Sequence, residues 1–271
     1  MYSKYIKVDG IRTHYIEAGE GDNYVILLHG AEFGGNSQNS WEYNIQALSK
    51  HFHVFAIDML GFGGTEKIFH FEDIKAFRIE HIRKFMDTLC IDSASFIGNS
   101  MGGGLILKVA SEEKPRWNIN KAITISGGGP NNPETHSFVN NYDCTFDYMR
   151  KIHHLFFYDD AWKQEEYVNK RYLESIKPGA WEALSVSRFK SPLAKQKASG
   201  RIPDYSSAYK NIKVPILICA GDQDKLKLPD YSERLSNLIP NSQVKVFKDC
   251  SHCAQIEKAE EFNDLAIDFL K

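Results

Sequence analysis

The sequence has few cysteines and no long apolar run. The five cysteines among 271 residues are an odd number and lie far apart: Cys90, Cys144, Cys219, Cys250 and Cys253. A disulfide framework is therefore not expected, and we expect a reducing, cytoplasmic location. No apolar stretch approaches the roughly 20 residues that cross a bilayer. Residues 1–5 also lack the apolar segment of a signal peptide, so a membrane partner is not expected.

Basic residues are not concentrated in any part of the chain. There are 33 Lys and Arg residues against 35 Asp and Glu residues, which gives a formal net charge of -2. A nucleic-acid partner would require clustered Lys and Arg, so none is expected. The chain is 42% hydrophobic and 25% charged, a composition typical of globular proteins, and at this length it can bury a full core.

Short apolar segments alternate with amphipathic segments along most of the chain. Apolar segments predict strands at Ile11–Glu17, Tyr24–Leu28, His53–Ile57, Ala94–Ile97, Ile119–Ile125, Pro215–Ala220 and Gln243–Phe247. Helical spacing predicts helices over Phe71–Leu89, Met101–Ala110, Tyr231–Leu238 and the C-terminal residues. This alternation indicates an α/β fold with a mostly parallel central sheet flanked by helices.

Residues 130–207 interrupt the alternation, because they are rich in aromatic residues and show no clear strand. We interpret them as a helical lid inserted before the last core strands. The predicted domains are therefore a first part of the core at 1–129, the lid at 130–207 and a second part of the core at 208–271. The alternative is a single domain in which these helices are peripheral.

One motif places a serine between a predicted strand and a predicted helix. Gly98-Asn99-Ser100-Met101-Gly102 fits the G-x-S-x-G pattern, and it directly follows the segment Ala94–Ile97. Such an abrupt turn forces its central residue into a strained conformation, and the glycines allow the backbones to approach closely. The helix N-terminus directs free N–H groups toward developing negative charge. We predict that Ser100 is a catalytic nucleophile.

A nucleophilic serine needs a histidine base and an acid that orients this base. His252 is the predicted base, because it follows a predicted strand after a short loop, and strand ends carry the site in such sheets. Asp222 and Asp224 both follow the strand Pro215–Ala220 and compete for the role of the acid. We favour Asp224, which stands farther along its loop, and we interpret Asp222 as a loop residue with local hydrogen bonds.

The oxyanion hole is predicted to combine the backbone N–H groups of Ala31 and Met101. His29, two residues before Ala31, is interpreted as a buried histidine that holds this loop. The segment Cys250-Ser251-His252-Cys253 has two other interpretations, a zinc site and a redox pair. No second Cys/His cluster supplies zinc ligands at a suitable spacing, and a redox pair would normally lie at the start of a helix in a thioredoxin-like unit. Because catalysis by Ser, His and Asp needs neither a metal nor a nucleotide, neither a metal nor a cofactor is expected.

Five segments together match one known family: His29-Gly30-Ala31, Asp58–Gly63, Gly98–Gly103, Val168–Tyr172 and Gly221–Asp224. They resemble segments of the meta-cleavage-product hydrolases, which belong to the α/β-hydrolase superfamily and cleave carbon–carbon bonds in aromatic catabolism. The similarity extends over nearly the whole chain. The resemblance implies the α/β-hydrolase fold, and the spacing of Asp224 and His252 matches that of the family.

In that family the small-molecule substrate is a 2-hydroxy-6-oxo-hexa-2,4-dienoate, which is cleaved by water beside its C6 carbonyl through an acyl-enzyme. The resemblance implies that Asn99 and Arg171 contact the dienoate end, and that Gly30, Ser40 and Cys253 also line the substrate site. A homo-oligomer is a further implication, because members of the family are often dimers or larger.

Three departures from the family concern positions that bind substrate. Glu32-Phe33-Gly34-Gly35 replaces a loop of the Gly-Pro-Gly type, and Cys253 replaces a tryptophan after the histidine. Ser40 aligns with a frequent asparagine, although Asn39 is adjacent. Because the departures leave the three catalytic candidates intact, a carboxylesterase acting on a small ester is the alternative function. A non-catalytic binding protein is a third hypothesis, and the intact Ser, Asp and His argue against it.

Overall fold

A computed structural model describes residues 1–71, 73–186 and 205–271 and contains one eight-stranded sheet. The strands are β1 (Tyr2–Val8), β2 (Ile11–Ala18), β3 (Tyr24–Leu28), β4 (His53–Ile57), β5 (Ala94–Asn99), β6 (Ile119–Ile125), β7 (Ile216–Gly221) and β8 (Ser242–Phe247). Their spatial order is β1-β2-β4-β3-β5-β6-β7-β8. The pairs β1/β2 and β2/β4 are antiparallel, and the other neighbours are parallel. The predicted α/β fold with a mostly parallel sheet is confirmed.

Helices flank the sheet and follow most of its strands. They are α1 (Ser37–Trp41), α2 (Ile45–Leu48), α3 (Ile74–Thr88), α4 (Met101–Ala110), α5 (Pro133–Asn140), α6 (Phe146–Phe156), α7 (Glu165–Ser175), α8 (Ala180–Ser185), α9 (Tyr231–Ser236), α10 (Ala254–Glu257) and α11 (Ala259–Leu270). Two 3-10 turns cover Asp160–Lys163 and Tyr205–Asn211. None of the helices described in residues 1–71, 73–186 and 205–271 has the length and apolar character needed to cross a membrane.

The sheet carries an apolar core on each face, because successive side chains of a buried strand point to opposite sides. In β3, Ile26 and Leu28 belong to the core beneath α3, α4 and α9. Val25 and Leu27 belong to the opposite core, beneath α1, α2 and α11. A strand buried on both faces must be apolar throughout, which explains the uninterrupted apolar segment at this position.

Among the described residues, helices α5–α8 lie between β6 and β7, within the segment predicted to form a lid. Their apolar side chains form a third core, which includes Met149, Ile152 and Val168. This core extends to Phe33 and Cys253, which follow strands of the sheet. The lid helices therefore cover the ends of the strands that carry the candidate site. Residues 187–204 of the predicted lid lie outside the described residues, and the domain boundaries remain a prediction.

Candidate active site

Ser100 connects β5 to α4 in a strained backbone conformation. Its φ is 51° and its ψ is -110°, a region that residues with a side chain rarely adopt. The Ser100 N–H donates to the carbonyl of Ile125 at 2.7 Å, and its carbonyl accepts from the N–H of Gly104 at 3.0 Å. A Cβ on Gly102 would collide with the backbone carbonyl of Leu28. The tight turn thus depends on glycine and holds Ser100 at the N-terminus of α4.

An acid–base pair is formed by His252 and Asp224, both of which are almost fully buried. The Nδ1 of His252 donates to Oδ2 of Asp224 at 2.8 Å, and the N–H of Leu226 donates to Oδ1 at 2.9 Å. Burial raises the pKa of the Asp224 carboxyl, but the His252 imidazole and the Leu226 N–H outweigh burial and hold this pKa below its ordinary value. Asp224 is therefore an ionised acceptor that orients the imidazole.

Asp222 has different partners from Asp224. Its carboxylate accepts from the N–H of Cys250 at 3.4 Å and lies 3.5 Å from the Nζ of Lys248. Its side chain is 19% exposed, against 1% for Asp224. Asp222 therefore makes local contacts, and it is Asp224 that accepts the hydrogen bond from His252.

The loop that carries His252 is tied to the lid. The N–H of His252 donates to the carbonyl of Phe156 at 3.1 Å, and Ser251 Oγ donates to the carbonyl of Leu155 at 3.1 Å. Glu257 joins the same two segments, because its Oε1 accepts from the N–H of Ser251 at 2.7 Å and its Oε2 accepts from the N–H of Tyr158 at 2.7 Å. The position of the imidazole thus depends on the end of α6. Nothing in the sequence pattern singled out Glu257.

One aromatic ring is a neighbour of both His252 and Arg171. The centroid of the Phe156 ring is 5.5 Å from that of the His252 ring, and the Cζ of Arg171 is 5.2 Å from the same Phe156 centroid. A guanidinium over an aromatic face is attracted to it electrostatically. Arg171, which the resemblance placed at the substrate, therefore shares the Phe156 ring as a neighbour with His252.

Arg171 is paired with Glu32 in the interior of the protein. The Nη1 of Arg171 is 3.3 Å from Oε1 of Glu32, and the two side chains are 5% and 4% exposed. Burial raises the pKa of the Glu32 carboxyl, but the charge of Arg171 and a backbone N–H outweigh burial and hold this pKa below its ordinary value. Among the described residues, Nε and Nη1 of Arg171 have no hydrogen-bond partner. Glu32 was noted in the sequence only as a departure from the family, and its pairing was not predicted.

Asn99 precedes Ser100 and offers one free acceptor. Its Nδ2 donates to the carbonyls of His252 at 3.1 Å and Ile125 at 3.3 Å. Its Oδ1 is buried and accepts no hydrogen bond within the part of the chain that the structure describes. A Cβ on Gly30 would lie 3.1 Å from this oxygen and would collide with the Glu32 carboxylate. Gly30, Asn99 and Glu32 are therefore close neighbours.

Two other predicted substrate residues occupy different surroundings. Cys253 is buried in the lid core beside the Glu32–Arg171 pair, and burial raises the pKa of its thiol well above the ordinary value. It therefore presents a neutral, apolar surface. Ser40 is buried in α1, and its described hydrogen bonds do not join it to Glu32, Arg171 or Cys253. The adjacent Asn39, by contrast, lines a cavity together with Arg171.

The two predicted oxyanion donors lie at the ends of β3 and β5. Met101 is the first residue of α4, where the N–H groups have no intrahelical partner. Ala31 lies in the loop after β3, which His29 fixes. The Nδ1 of His29 donates to the carbonyl of Gly30 at 2.7 Å, and its Nε2 accepts from the N–H of Met59 at 3.0 Å. Burial lowers the pKa of His29, which keeps the imidazole neutral.

Asp58 organises the loop after β4. Its carboxylate accepts from Nδ1 of His14 and from the N–H groups of Ser37 and Gly64, each at 2.7 Å. Burial raises its pKa, but the bonds from His14 and Ser37 outweigh burial, so the pKa lies well below its ordinary value. Asp58 therefore stabilises the β4 loop and the start of α1 as a charged group.

The described cysteines are free thiols, and Cys250 and Cys253 are both buried. Among the described residues, no group of three His, Cys, Asp or Glu side chains is arranged to hold a metal ion. The described hydrogen bonds join His252 to Asp224, and Ser100 lies at the N-terminus of α4.

Comparisons with known proteins find relatives of this chain. The model of the alpha/beta hydrolase family matches residues 25–265. The 2-hydroxy-6-oxo-2,4-heptadienoate hydrolase of Pseudomonas putida is 31% identical over 263 residues, which are 96% of this chain and 93% of that protein. The 2-hydroxy-6-oxo-6-phenylhexa-2,4-dienoate hydrolase of Comamonas testosteroni is 31% identical over 270 residues, 95% and 91% of the two chains. A solved structure of the meta-cleavage product hydrolase of Pseudomonas fluorescens is 32% identical, covers 98% of this chain and 96% of its own, and has a TM-score of 0.86.

Proposed function

This chain belongs to the alpha/beta hydrolase family and, within it, to the meta-cleavage product hydrolases, and we propose that it hydrolyses a carbon–carbon bond next to a ketone. The substrate class is a 2-hydroxy-6-oxo-hexa-2,4-dienoate-type compound. The observation that carries the proposal is that two dienoate hydrolases align with 95% and 96% of the chain at 31% identity. The catalytic groups are Ser100, His252 and Asp224, and catalysis uses no cofactor.

The proposed reaction begins once the 2-hydroxyl of the substrate has tautomerised to a C2 ketone, which moves its proton to C5. His252 takes the proton of Ser100 as Oγ attacks C6, and the backbone N–H groups of Ala31 and Met101 stabilise the oxyanion. The bond between C5 and C6 then breaks, its electron pair moves through the C3=C4 bond onto the C2 oxygen, and the His252 imidazolium protonates this oxygen of the departing dienolate. Water activated by His252 hydrolyses the acyl-enzyme. The ionised Asp224 supports each step, because it stabilises the imidazolium.

The departing half of the substrate lies on the His252 side, since His252 protonates it. Asn99 and Arg171 are on this side, as the Asn99 bond to the His252 carbonyl and the shared Phe156 ring indicate. The free Oδ1 of Asn99 suits a hydroxyl donor. Arg171 suits a carboxylate. These two residues match the hydroxyl and the carboxylate of the dienoate end.

A carboxylesterase acting on a small ester remains the second candidate, and one observation favours it. Arg171 is already paired with Glu32, so its charge is partly neutralised before any substrate binds. An ester that carries no carboxylate would not compete with Glu32.

A comparison of purified-protein rates on dienoates and simple esters distinguishes the two functions. The test measures kcat/KM for alkyl- and aryl-substituted dienoates and for 4-nitrophenyl esters. Carbon–carbon hydrolysis predicts dienoate turnover that Arg171→Gln weakens. Good ester turnover without turnover of any dienoate would reject it in favour of the esterase.

We further propose a cytoplasmic location, consistent with the free cysteines, and a homo-oligomer like those of the family. Light scattering on the purified protein measures the oligomeric state, and a monomer at all concentrations would reject the second proposal.

A further inference from the structure

Arg78 is a buried cation beside one of the predicted oxyanion donors, and the proposed reaction does not use it. It lies on α3 and is 5% exposed. Resting on the proposed attack by Ser100, we propose that Arg78 is a positioning residue of the oxyanion hole. Its guanidinium holds Met101 and the loop after β3 in place, and its charge favours the oxyanion that forms beside them.

Two hydrogen bonds connect Arg78 to the surroundings of Ser100. Its Nη1 donates to Sδ of Met101 at 3.1 Å, and its Nε donates to the carbonyl of Leu60 at 3.2 Å. Met101 directly follows Ser100, and its backbone N–H is one of the two predicted oxyanion donors. Because a guanidinium is planar and rigid, these two bonds fix the first residue of α4 relative to the loop after β4.

The loop that carries the second predicted donor is linked to Arg78 through two rings. The Cζ of Arg78 lies 5.0 Å from the centroid of the Phe62 ring, as in a cation–π contact. The centroid of this ring lies 4.7 Å from that of His29, at an interplanar angle of 70°. His29 in turn donates to the carbonyl of Gly30, the residue before Ala31. Both predicted donors are therefore held by side chains that connect to Arg78.

The charge of Arg78 has no carboxylate partner among the described residues. Burial alone lowers the pKa of its guanidinium to about 10, so the group stays protonated at neutral pH. A buried cation without a partner destabilises a fold, which means that a structural ion pair does not account for Arg78. Its positive charge instead remains available to negative charge that develops nearby.

The distance from Arg78 to the oxyanion gives the expected size of this effect. The contact to Sδ, the length of the Met101 side chain and one hydrogen bond from its N–H together place the guanidinium about 8–10 Å from the oxyanion. At an effective dielectric constant of about 20, the attraction between unit charges at this distance changes a rate about ten- to thirtyfold. Loss of the fixed position of Met101 would add to this change.

The test compares an inhibitor that creates the oxyanion with one that does not. Phenylboronic acid is the first, because Oγ of Ser100 bonds to its boron, the Ser100 proton passes to His252, and the boronate becomes a tetrahedral anion. Benzamide is the second, because it has a similar shape, carries no charge and forms no bond to Oγ. The substrates are the 6-phenyl dienoate and 4-nitrophenyl benzoate, which transfer the same benzoyl group to Ser100.

Two variants of Arg78 are compared with a control on the same helix. Arg78→Met keeps the length of the side chain and removes its charge. Arg78→Lys keeps the charge and loses the planar geometry that makes both hydrogen bonds. Arg83→Met is the matched control, because the Arg83 side chain is 35% exposed and pairs with Glu80 and Asp87 at the surface.

Arg78→Met should lower kcat/KM for both substrates about ten- to hundredfold and raise Ki for phenylboronic acid by the same factor. Ki for benzamide should stay within about twofold, and Arg83→Met should behave like wild type. Arg78→Lys should show the same pattern with a smaller change of about three- to tenfold. This variant also decides the question by the same two inhibitors if Arg78→Met does not fold.

An unchanged Ki for phenylboronic acid in the folded Arg78 variants would overturn the proposal. So would an equal loss of affinity for both inhibitors, because that result indicates general damage to the site. If wild type cleaves the ester but no dienoate, and the ester shows the expected pattern, carbon–carbon hydrolysis fails and the role of Arg78 stands. If wild type cleaves the dienoate and Arg78→Met does so equally well, the role of Arg78 fails and the proposed function stands.

Discussion

Replacing Asp224 by asparagine should abolish most of the activity and leave the fold intact. In wild type, the N–H of Leu226 lies 2.9 Å from Oδ1 of Asp224, and Nδ1 of His252 lies 2.8 Å from Oδ2. In the variant, the side-chain oxygen of Asn would accept from the Leu226 N–H, so the amide nitrogen would face Nδ1 of His252. Two donors would then oppose each other. The imidazole would have to carry its hydrogen on Nε2, the nitrogen that must accept the proton of Ser100. We expect kcat to fall about 10³–10⁴-fold, or about 4–5.5 kcal/mol of barrier.

The matched control is Asp222→Asn, two residues away. Its carboxylate has only longer contacts, at 3.4 and 3.5 Å, so kcat should stay within about threefold of wild type. Steady-state kinetics at neutral pH measures the effect, and circular dichroism during heating verifies folding. A larger loss of kcat in Asp222→Asn than in Asp224→Asn would refute the assignment of the acid.

Three further predictions concern stability, measured as the free energy of unfolding in urea. Gly102→Ala should lower the free energy of unfolding by about 1–3 kcal/mol or more, because the new Cβ would collide with the sheet. Gly104→Ala should raise it by about 0.5–1 kcal/mol, because the new Cβ would lie 3.9 Å from its nearest neighbour. Equal effects of the two variants would contradict the close packing of Gly102 against β3. Because the pKa of Asp58 is lowered in the folded protein, its ionised form stabilises the fold at pH values above the unfolded pKa of about 4. The difference in the free energy of unfolding between wild type and Asp58→Asn should therefore become smaller as the pH falls from 5 to 2. A difference that stays constant over this range would contradict the prediction. Arg171→Gln should lower the free energy of unfolding by roughly 3–5 kcal/mol, because it leaves Glu32 unpaired in the interior. Adding Glu32→Gln should restore most of this loss. A double variant that is no more stable than Arg171→Gln would show that the two side chains are not coupled.

The buried strands could be predicted from the sequence with their observed bounds. Tyr24–Leu28, His53–Ile57 and Ile119–Ile125 match β3, β4 and β6, because a strand covered on both faces needs an uninterrupted apolar segment. The edge strand β1 was missed, since most of its side chains are exposed. The Asp9-Gly10 pair in the sequence could have revealed β1, because Asp-Gly favours the tight turn of a β-hairpin. Both residues have the positive φ that this turn requires.

The candidate site was predictable where a residue follows a strand of the sheet. Ser100, Asp224 and His252 are of this kind, because parallel strands bring their ends to one edge. Glu32 and Glu257 were not predictable, because each acts through the lid: Glu32 pairs with Arg171 of α7, and Glu257 holds the segment after α6. Such contacts depend on how the lid lies on the sheet, which no local pattern encodes.

Hydrolysis of 2-hydroxy-6-oxo-6-phenylhexa-2,4-dienoate by wild type and by Ser100→Ala tests the proposed reaction most directly. Addition of water across the bond between C5 and C6 yields one benzoate and one 2-hydroxypenta-2,4-dienoate, which chromatography quantifies. Wild type should form both products in equal amounts, and Ser100→Ala should be slower by at least about 10³-fold. An intact dienoate after incubation with wild type, or cleavage by Ser100→Ala at the wild-type rate, would contradict nucleophilic attack by Ser100 on this ketone.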